Sequence, residues 1–217
     1  MGTVRFDAYA LLLQGDELLP FLDGLSTNHV DGSCTTVFTL RTAKIIDVCE
    51  VLDLGERVVL VGHAPQKTAL LEHLLERILG RNISVSDISL LNHVYIGTEG
   101  EDVPEGTTVH PSFFGTMYIV PAKMTFQPSW TLEQWNEHRV QHLLPFHGHE
   151  ITPHHHPLAC GLESLVHPAK GCYIGQEVLT RMRSRGKQGH MLVRERNPVD
   201  GATTVGQKES LCIVRTQ

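Results

Sequence analysis

The densest chemical signal in the chain is Lys170–Glu177, which reads KGCYIGQE. Cys172 is a candidate nucleophilic or metal-contacting thiol, and the thiolate is its reactive form. Gly171 and Gly175 on either side permit unusual backbone angles and close approach. A helix is predicted over 176–185, closed by Gly186, so the thiol lies just ahead of a helix N-terminus, where partial positive charge favours an anion. Lys170 is expected to act in the same direction. Gln176 and Glu177 open the helix, where a carboxylate is favourable. The expectation is a reactive thiol tuned by its loop.

The other four cysteines are Cys34, Cys49, Cys160 and Cys212. The total is odd, the spacing wide, and C-x-x-C absent, which argues against a disulfide framework or a Cys-only zinc site. A reducing, cytoplasmic setting is expected. Histidine is abundant, with 14 residues, seven of them between His138 and His156. Alternation would put His147 and His149 on one face of an extended segment. Imidazoles bind zinc, iron and copper well. Spacing supplies no fixed carboxylate or thiol partner, so a solvated loop without a native metal is expected.

Lys170–Arg196 is a basic segment in a chain of net charge −6. It suits a polyglutamate tail, a phosphate, tRNA or an acidic partner, but lacks the interleaved aromatics of a single-strand binder. Trp130 and Trp135 flank a helix start and read as core. Arg139 is either a ligand-pocket guanidinium or half of a structural ion pair.

The elements that would position these groups are legible in part. Ala8–Leu13 reads as a strand, followed by a short helix capped by Asp16 and ending at Gly24. Cys34–Arg41, Ile45–Leu54 and Arg57–Gly62 suggest an antiparallel meander. Pro65–Leu79 reads as a helix with one apolar face of Leu70, Leu71, Leu74, Leu75, Ile78 and Leu79. Ile83–Ile88, Leu91–Gly97 and Thr116–Val120 read as strands, and Thr98–Ser112 as an acidic surface loop. Thr131 and Gln134 form a capping-box pattern for a helix to about His142. Leu144–Lys170 is broken by prolines at 153, 157 and 168. Met191–Arg196 and Leu211–Arg215 are final strands. This order indicates an α+β fold.

The chain has 217 residues, 41% hydrophobic and 19% charged, with a mean hydropathy of −0.09. This is a globular composition. The apolar runs are too short to span a bilayer, and the N-terminus lacks a signal-peptide pattern. A soluble cytoplasmic protein with no membrane association is expected.

KGCYIGQE, followed by Arg181 and the RSRGK turn, resembles the signature of the YgfZ family, folate-binding proteins related to the glycine-cleavage T-protein, an aminomethyltransferase. FLDGLSTNHV at 21–30, Ala43–Asp47, and Arg139-Val140-Gln141 with Pro145 and Gly148 following resemble further family segments in order. The resemblance covers nearly the whole chain. It implies a ring of small α+β subdomains around a central pocket that accepts tetrahydrofolate or a related pterin, with a shortened C-terminal β-domain. Residues 1–187 would form the folate-binding region, with a break near 98–115, and residues 188–217 the β-domain. On this resemblance Cys172 and Asp47 are the candidate catalytic groups. Lys170, Gly171, Tyr173, Gly175, Gln176, Glu177, Arg181, Arg139, Gln141 and Asn28 are the candidate ligand residues.

Cys172 places the chain nearer the YgfZ branch, because T-proteins generally lack a cysteine there. That branch implies support of iron–sulfur cluster assembly or repair, with assembly proteins or cluster-containing clients as partners. The T-protein branch implies one-carbon transfer to folate. Two departures bear on the choice. Only Asp47 remains of a carboxylate pair, with Val48 beside it; successive strand residues face opposite ways. Gln141 replaces a glutamate, losing an acceptor that would pair with two pterin N–H groups. The alternatives are therefore a tetrahydrofolate-dependent aminomethyltransferase and a binding module that has lost folate recognition.

Overall fold

The computed structural model describes residues 2–186 and 188–216. Lys187, in the basic segment, lies outside them. The strands are β1 (Thr3–Phe6), β2 (Ala8–Gly15), β3 (Cys34–Thr39), β4 (Ile45–Asp53), β5 (Arg57–His63), β6 (Ile83–Asp87), β7 (Asn92–Gly97), β8 (Thr108–Ser112), β9 (Gly115–Pro121), β10 (His190–Arg196), β11 (Thr204–Val205) and β12 (Glu209–Arg215). The helices are α1 (Leu18–Asp23), α2 (Lys67–Leu75), α3 (Leu132–His142) and α4 (Gln176–Arg185). The described residues form a mixed α and β fold with three antiparallel sheets in the orders β3-β4-β5-β2-β6, β1-β7-β9-β8 and β10-β12-β11.

The five-stranded sheet is apolar on both faces, because each is covered. Leu11, Leu13, Cys49, Val51 and Leu60 pack under Leu18, Phe21 and Leu22 of α1 and Leu70 and Leu74 of α2. Ala10, Val48, Leu52, Val59 and Val61 meet Val4, Ile96, Met117 and Ile119 of the four-stranded sheet. Strand β4 is buried along nearly its whole length for this reason. The chain passes from β1 in one sheet to β2 in the other within Asp7, which places their junction at the seam between layers.

Several expected elements differ. Asp16 does not cap α1: Glu17 occupies that position with φ 51° and makes no side-chain cap, while the Asp16 carboxylate accepts from Asn82. The 65–79 helix is shorter, a 3-10 turn at Ala64–Gln66 followed by α2 to Leu75. Leu79 lies beyond its end and is exposed. Thr108–Ser112 is a strand rather than part of a loop. Strand β8 is a sheet edge, where Pro111 need not supply a ladder donor. Residues 98–107 therefore connect strands of one sheet. Strands β1 and β11 escape the sequence pattern because they are short. The Thr131 capping box forms with both bonds.

Candidate functional site

The KGCYIGQE segment folds as a pinned loop leading into α4. The Lys170 ammonium is buried and donates to the carbonyls of Asp23, Ser26 and Asn28, and pairs with the Asp23 carboxylate at 2.8 Å. Burial lowers the Lys170 pKa, partly opposed by Asp23. Burial acts to raise Asp23, but hydrogen bonds from Lys170 and the Val30 N–H hold it below the ordinary carboxylate value. Lys170 is thus committed to the 23–28 loop, correcting the expectation that it tunes Cys172. Asn28 belongs to the same anchor: its amide donates to the Thr35 carbonyl and its own carbonyl receives Lys170.

Tyr173 is buried with Ala43, Leu158, Val166 and Leu179. Gly175 precedes α4 with φ 87°, and a Cβ there would lie 2.7 Å from Thr39 Oγ1 and 2.8 Å from the Leu40 carbonyl. The Thr39 hydroxyl donates to the Ile174 carbonyl at 2.7 Å, holding loop to strand end. Only glycine fits this crossing. Gly171 has no such constraint: a Cβ there meets nothing within 4 Å. Gln176 reaches back to the Gly171 carbonyl, and Glu177 and Arg181 are exposed on α4. Of the five cysteines, Cys172 is exposed, Cys34 is half-buried, and Cys49, Cys160 and Cys212 are buried.

The remaining candidates do not join this loop. Asp47 is enclosed. Its carboxylate accepts from Tyr9 Oη at 2.7 Å, His63 N–H at 3.0 Å and Val48 N–H at 2.9 Å, with His147 Nδ1 at 3.5 Å. Burial pushes its pKa up to about 7, against the opposing hydrogen bonds. Burial pushes His147 well below the ordinary histidine value. The void between them is about 10 Å³, scarcely room for one water. As alternation requires, Val48 points the other way, into the core between the sheets.

Arg139 is a structural ion pair. It is fully buried, bonded to Glu150 at 2.9 Å, Thr204 Oγ1 at 2.7 Å and Asn136 Oδ1 at 2.9 Å. Gln141 is exposed and donates to Glu137 one turn back. Neither forms a ligand pocket with Asp47 or Asn28. The residues that the resemblance assigns to a folate therefore do not converge on a cavity that fits one.

His147 and His149 do not share a face. Gly148 has φ 75° and the Ile151 N–H returns to the Phe146 carbonyl, so the segment is a turn. His147 is buried against Phe6, Phe114 and Phe146, while His149 is exposed. His156 is also buried, with Nε2 against the Gln188 carbonyl. Among the described residues no group of three or more His, Cys, Asp or Glu side chains is gathered to hold a metal. The basic segment is partly consumed internally: Arg183 donates to the Glu163 and Val166 carbonyls, and Arg194 to the Gln141 carbonyl. Arg181, Arg185 and Arg196 are exposed.

Two features carry no sequence signal. Buried Glu50 accepts from Thr35 and Ser112, with His110 at 3.5 Å, tying the two large sheets together. A cleft of about 650 Å³ runs beside β1, lined by Arg5, Phe6, Leu90, His93, Trp130 and Leu132 among others. Trp130 is half-buried in its wall rather than in the core, whereas Trp135 is core as expected. Phe6 is shared between this cleft and the rings of His63 and His147, so it stands between the open cleft and the Asp47 cluster.

No protein-family model matches the sequence, and no curated protein matches it. The architecture does have a solved counterpart. Over 98% of its length the chain superposes on the glycine cleavage system aminomethyltransferase T from Bartonella henselae, with a TM-score of 0.77 and 15% sequence identity, covering 78% of that chain. The chain has an aminomethyltransferase T fold. At this identity the likeness is one of fold, and the aminomethyltransferase-like α+β architecture expected from the sequence is the part that it supports. Among the described residues no helix is long and apolar enough to cross a membrane.

Proposed function

We propose that this T-fold chain is an accessory protein of the YgfZ type, supporting iron–sulfur cluster assembly or maintenance through the thiol of Cys172. The observation that carries the reading is the presentation of that thiol. Cys172 is exposed on a loop fixed by the buried Lys170 anchor on one side and the Gly175 crossing on the other. A thiol held in this way is available to iron or to a partner's sulfur without first opening the fold. Five free cysteines fit a reducing cytoplasm. In this reading residues 1–187 form a ring of subdomains and residues 188–217 a shortened C-terminal β-domain. The partners are assembly proteins or cluster-containing clients. A tRNA contact at 170–196 would rest chiefly on Arg181, Arg185 and Arg196.

The transferase alternative needs a carboxylate at the substrate, and Asp47 is sealed behind Phe6 and His147. No step is assigned to tetrahydrofolate, because Arg139, Gln141 and Asp47 do not fit it. The test is Cys172→Ser in cells lacking the native gene. Cluster-dependent enzyme activities should fall as they do without the protein, while the variant's melting temperature stays unchanged, because the side chain is exposed. Full complementation by Cys172→Ser would refute the proposal. A folate-binding module is tested separately, by thermal shift at saturating tetrahydrofolate.

A further inference from the structure

Strand β8 is an open edge of the four-stranded sheet, and a groove of about 340 Å³ lies beside it. The register decides which of its backbone groups face outward. The Ala122 N–H donates to the Leu91 carbonyl. Alternation in the antiparallel ladder then gives His93, Tyr95 and Gly97 of β7 to β9, where they meet Val120, Tyr118 and Thr116. Met117 and Ile119 of β9 turn the other way, to His110 and Thr108 of β8. Val109 and Pro111 are left with their backbone groups directed away from the sheet. The Val109 N–H, the Val109 carbonyl and the Pro111 carbonyl have no partner among the described residues. Both ends of this stretch are closed: Phe113 N–H donates to Thr35 Oγ1, and Thr107 N–H returns to the Pro104 carbonyl. One donor and two acceptors remain, enough for a short extended segment.

The side chains beside this edge select what could pair with it. Val109 stands opposite Tyr118, and Pro111 opposite Thr116, on one face of the sheet. That face carries the cluster of Tyr95, Tyr118 and Val120, and lies away from the five-stranded sheet. The 98–107 connection crosses it, held by the Tyr118 hydroxyl on the Thr98 carbonyl, and lines the groove with Glu99 and Glu101. Val109 is 53% exposed between them and solvent. Exposed Asp102 and Glu105 lie on the same connection. From Asn82 to Ala122 the sequence has no Lys or Arg. Lysines commonly guard a sheet edge against pairing; this edge has none, and its wall is negative.

We propose that the β8 edge docks an extended segment of a partner protein that carries Lys or Arg at alternate positions. The segment's backbone accepts from the Val109 N–H and donates to the Val109 and Pro111 carbonyls. The residue that pairs with Val109 points its side chain to the same face. A Lys or Arg there lays its stem over Val109 and carries its charge to Glu99 and Glu101. No residue of the Cys172 loop takes part, so the docking does not depend on the thiol.

The test uses the full chain and the peptide acetyl-Thr-Val-Lys-Val-Lys-Val-Thr-amide, titrated by calorimetry. One control peptide has Glu for both Lys; another is N-methylated at both Lys, which removes the donors to the two carbonyls. The Lys peptide should bind at least about tenfold more tightly than either control. Val109→Pro removes the outward N–H while sparing the ladder, since this N–H is not paired with β9. It should weaken binding at least about fivefold. Glu99→Gln together with Glu101→Gln should weaken the Lys peptide at least about threefold and leave a Thr-for-Lys peptide unaffected. If Val109→Pro disturbs folding, selective ¹⁵N-valine labelling replaces it. The Val109 amide, assigned by its loss in Val109→Ile, should shift and its hydrogen exchange should slow on binding. No binding of the Lys peptide, equal binding of either control, or an unmoved Val109 amide at saturation would each overturn the proposal. So would a Val109 amide already protected in a free chain that sediments as a dimer, which would give the edge to a second copy instead.

Discussion

Replacing Asp47 by Asn should change how the protein's stability depends on pH. Asp47 is fully buried, and its pKa rises from 3.8 to about 7, chiefly through burial. At about 1.4 kcal/mol per pKa unit, that rise corresponds to about 4 kcal/mol of linked folding free energy. The folded value lies above the unfolded one, so the contribution is fully present below the unfolded pKa of 3.8 and is lost as pH climbs through about 7. Asn cannot titrate. It will carry a constant penalty of about 1–3 kcal/mol, because its NH2 replaces an oxygen that accepts from Val48 N–H or from Tyr9 and His63. The informative quantity is therefore the difference between Asp47→Asn and the parent protein, measured by urea unfolding with tryptophan emission between pH 4.5 and 8. His147 works in the opposite direction, since burial lowers its pKa and its contribution is lost on acidification. It is present in both proteins and largely cancels. The variant should gain about 3 kcal/mol on the parent across this range, most of the full linkage, because the unfolded carboxyl is already largely ionised at pH 4.5. A difference that stays flat to within about 1 kcal/mol would refute the reading of Asp47 as a carboxyl that pays a burial penalty on ionising.

Arg139→Ala should destabilise the chain by about 3–5 kcal/mol in denaturant melts, because it leaves Glu150 charged and unpaired in a dry site. Gly175→Ala should cost about 2 kcal/mol or more, since it combines a left-handed φ with a Cβ contact of 2.7 Å on Thr39; Gly171→Ala should be close to neutral in the same melt. Brief iodoacetamide treatment of the native protein at pH 8 should add one label by intact mass, at Cys172. Burial pushes the Cys34 and Cys160 thiols up to about 11 and about 12, and Cys49 and Cys212 are buried. A second label appearing at the same rate would contradict this exposure pattern.

Most of what depends on near neighbours was legible in the residue pattern. The Thr131–Gln134 capping box, the Gly186 exit of α4 and the meander of β3, β4 and β5 all formed as read, because turn chemistry and side-chain period act over a few residues. The aminomethyltransferase-like architecture was legible too, through the order of short segments ending in KGCYIGQE. The destination of each charged group was not. Lys170 stands beside Cys172 in sequence yet reaches the 23–28 loop, more than 140 residues away. Arg139 and Gln141 are two residues apart on one helix, and the helical turn sends one into a sealed ion pair and the other to solvent. The cleft at Arg5 arises where a strand leaves one sheet for another while residues 129–130 cover only part of its edge. Periodicity says which side of an element is buried. Which group a side chain meets there depends on contacts between elements far apart in the chain, and no local pattern encodes those.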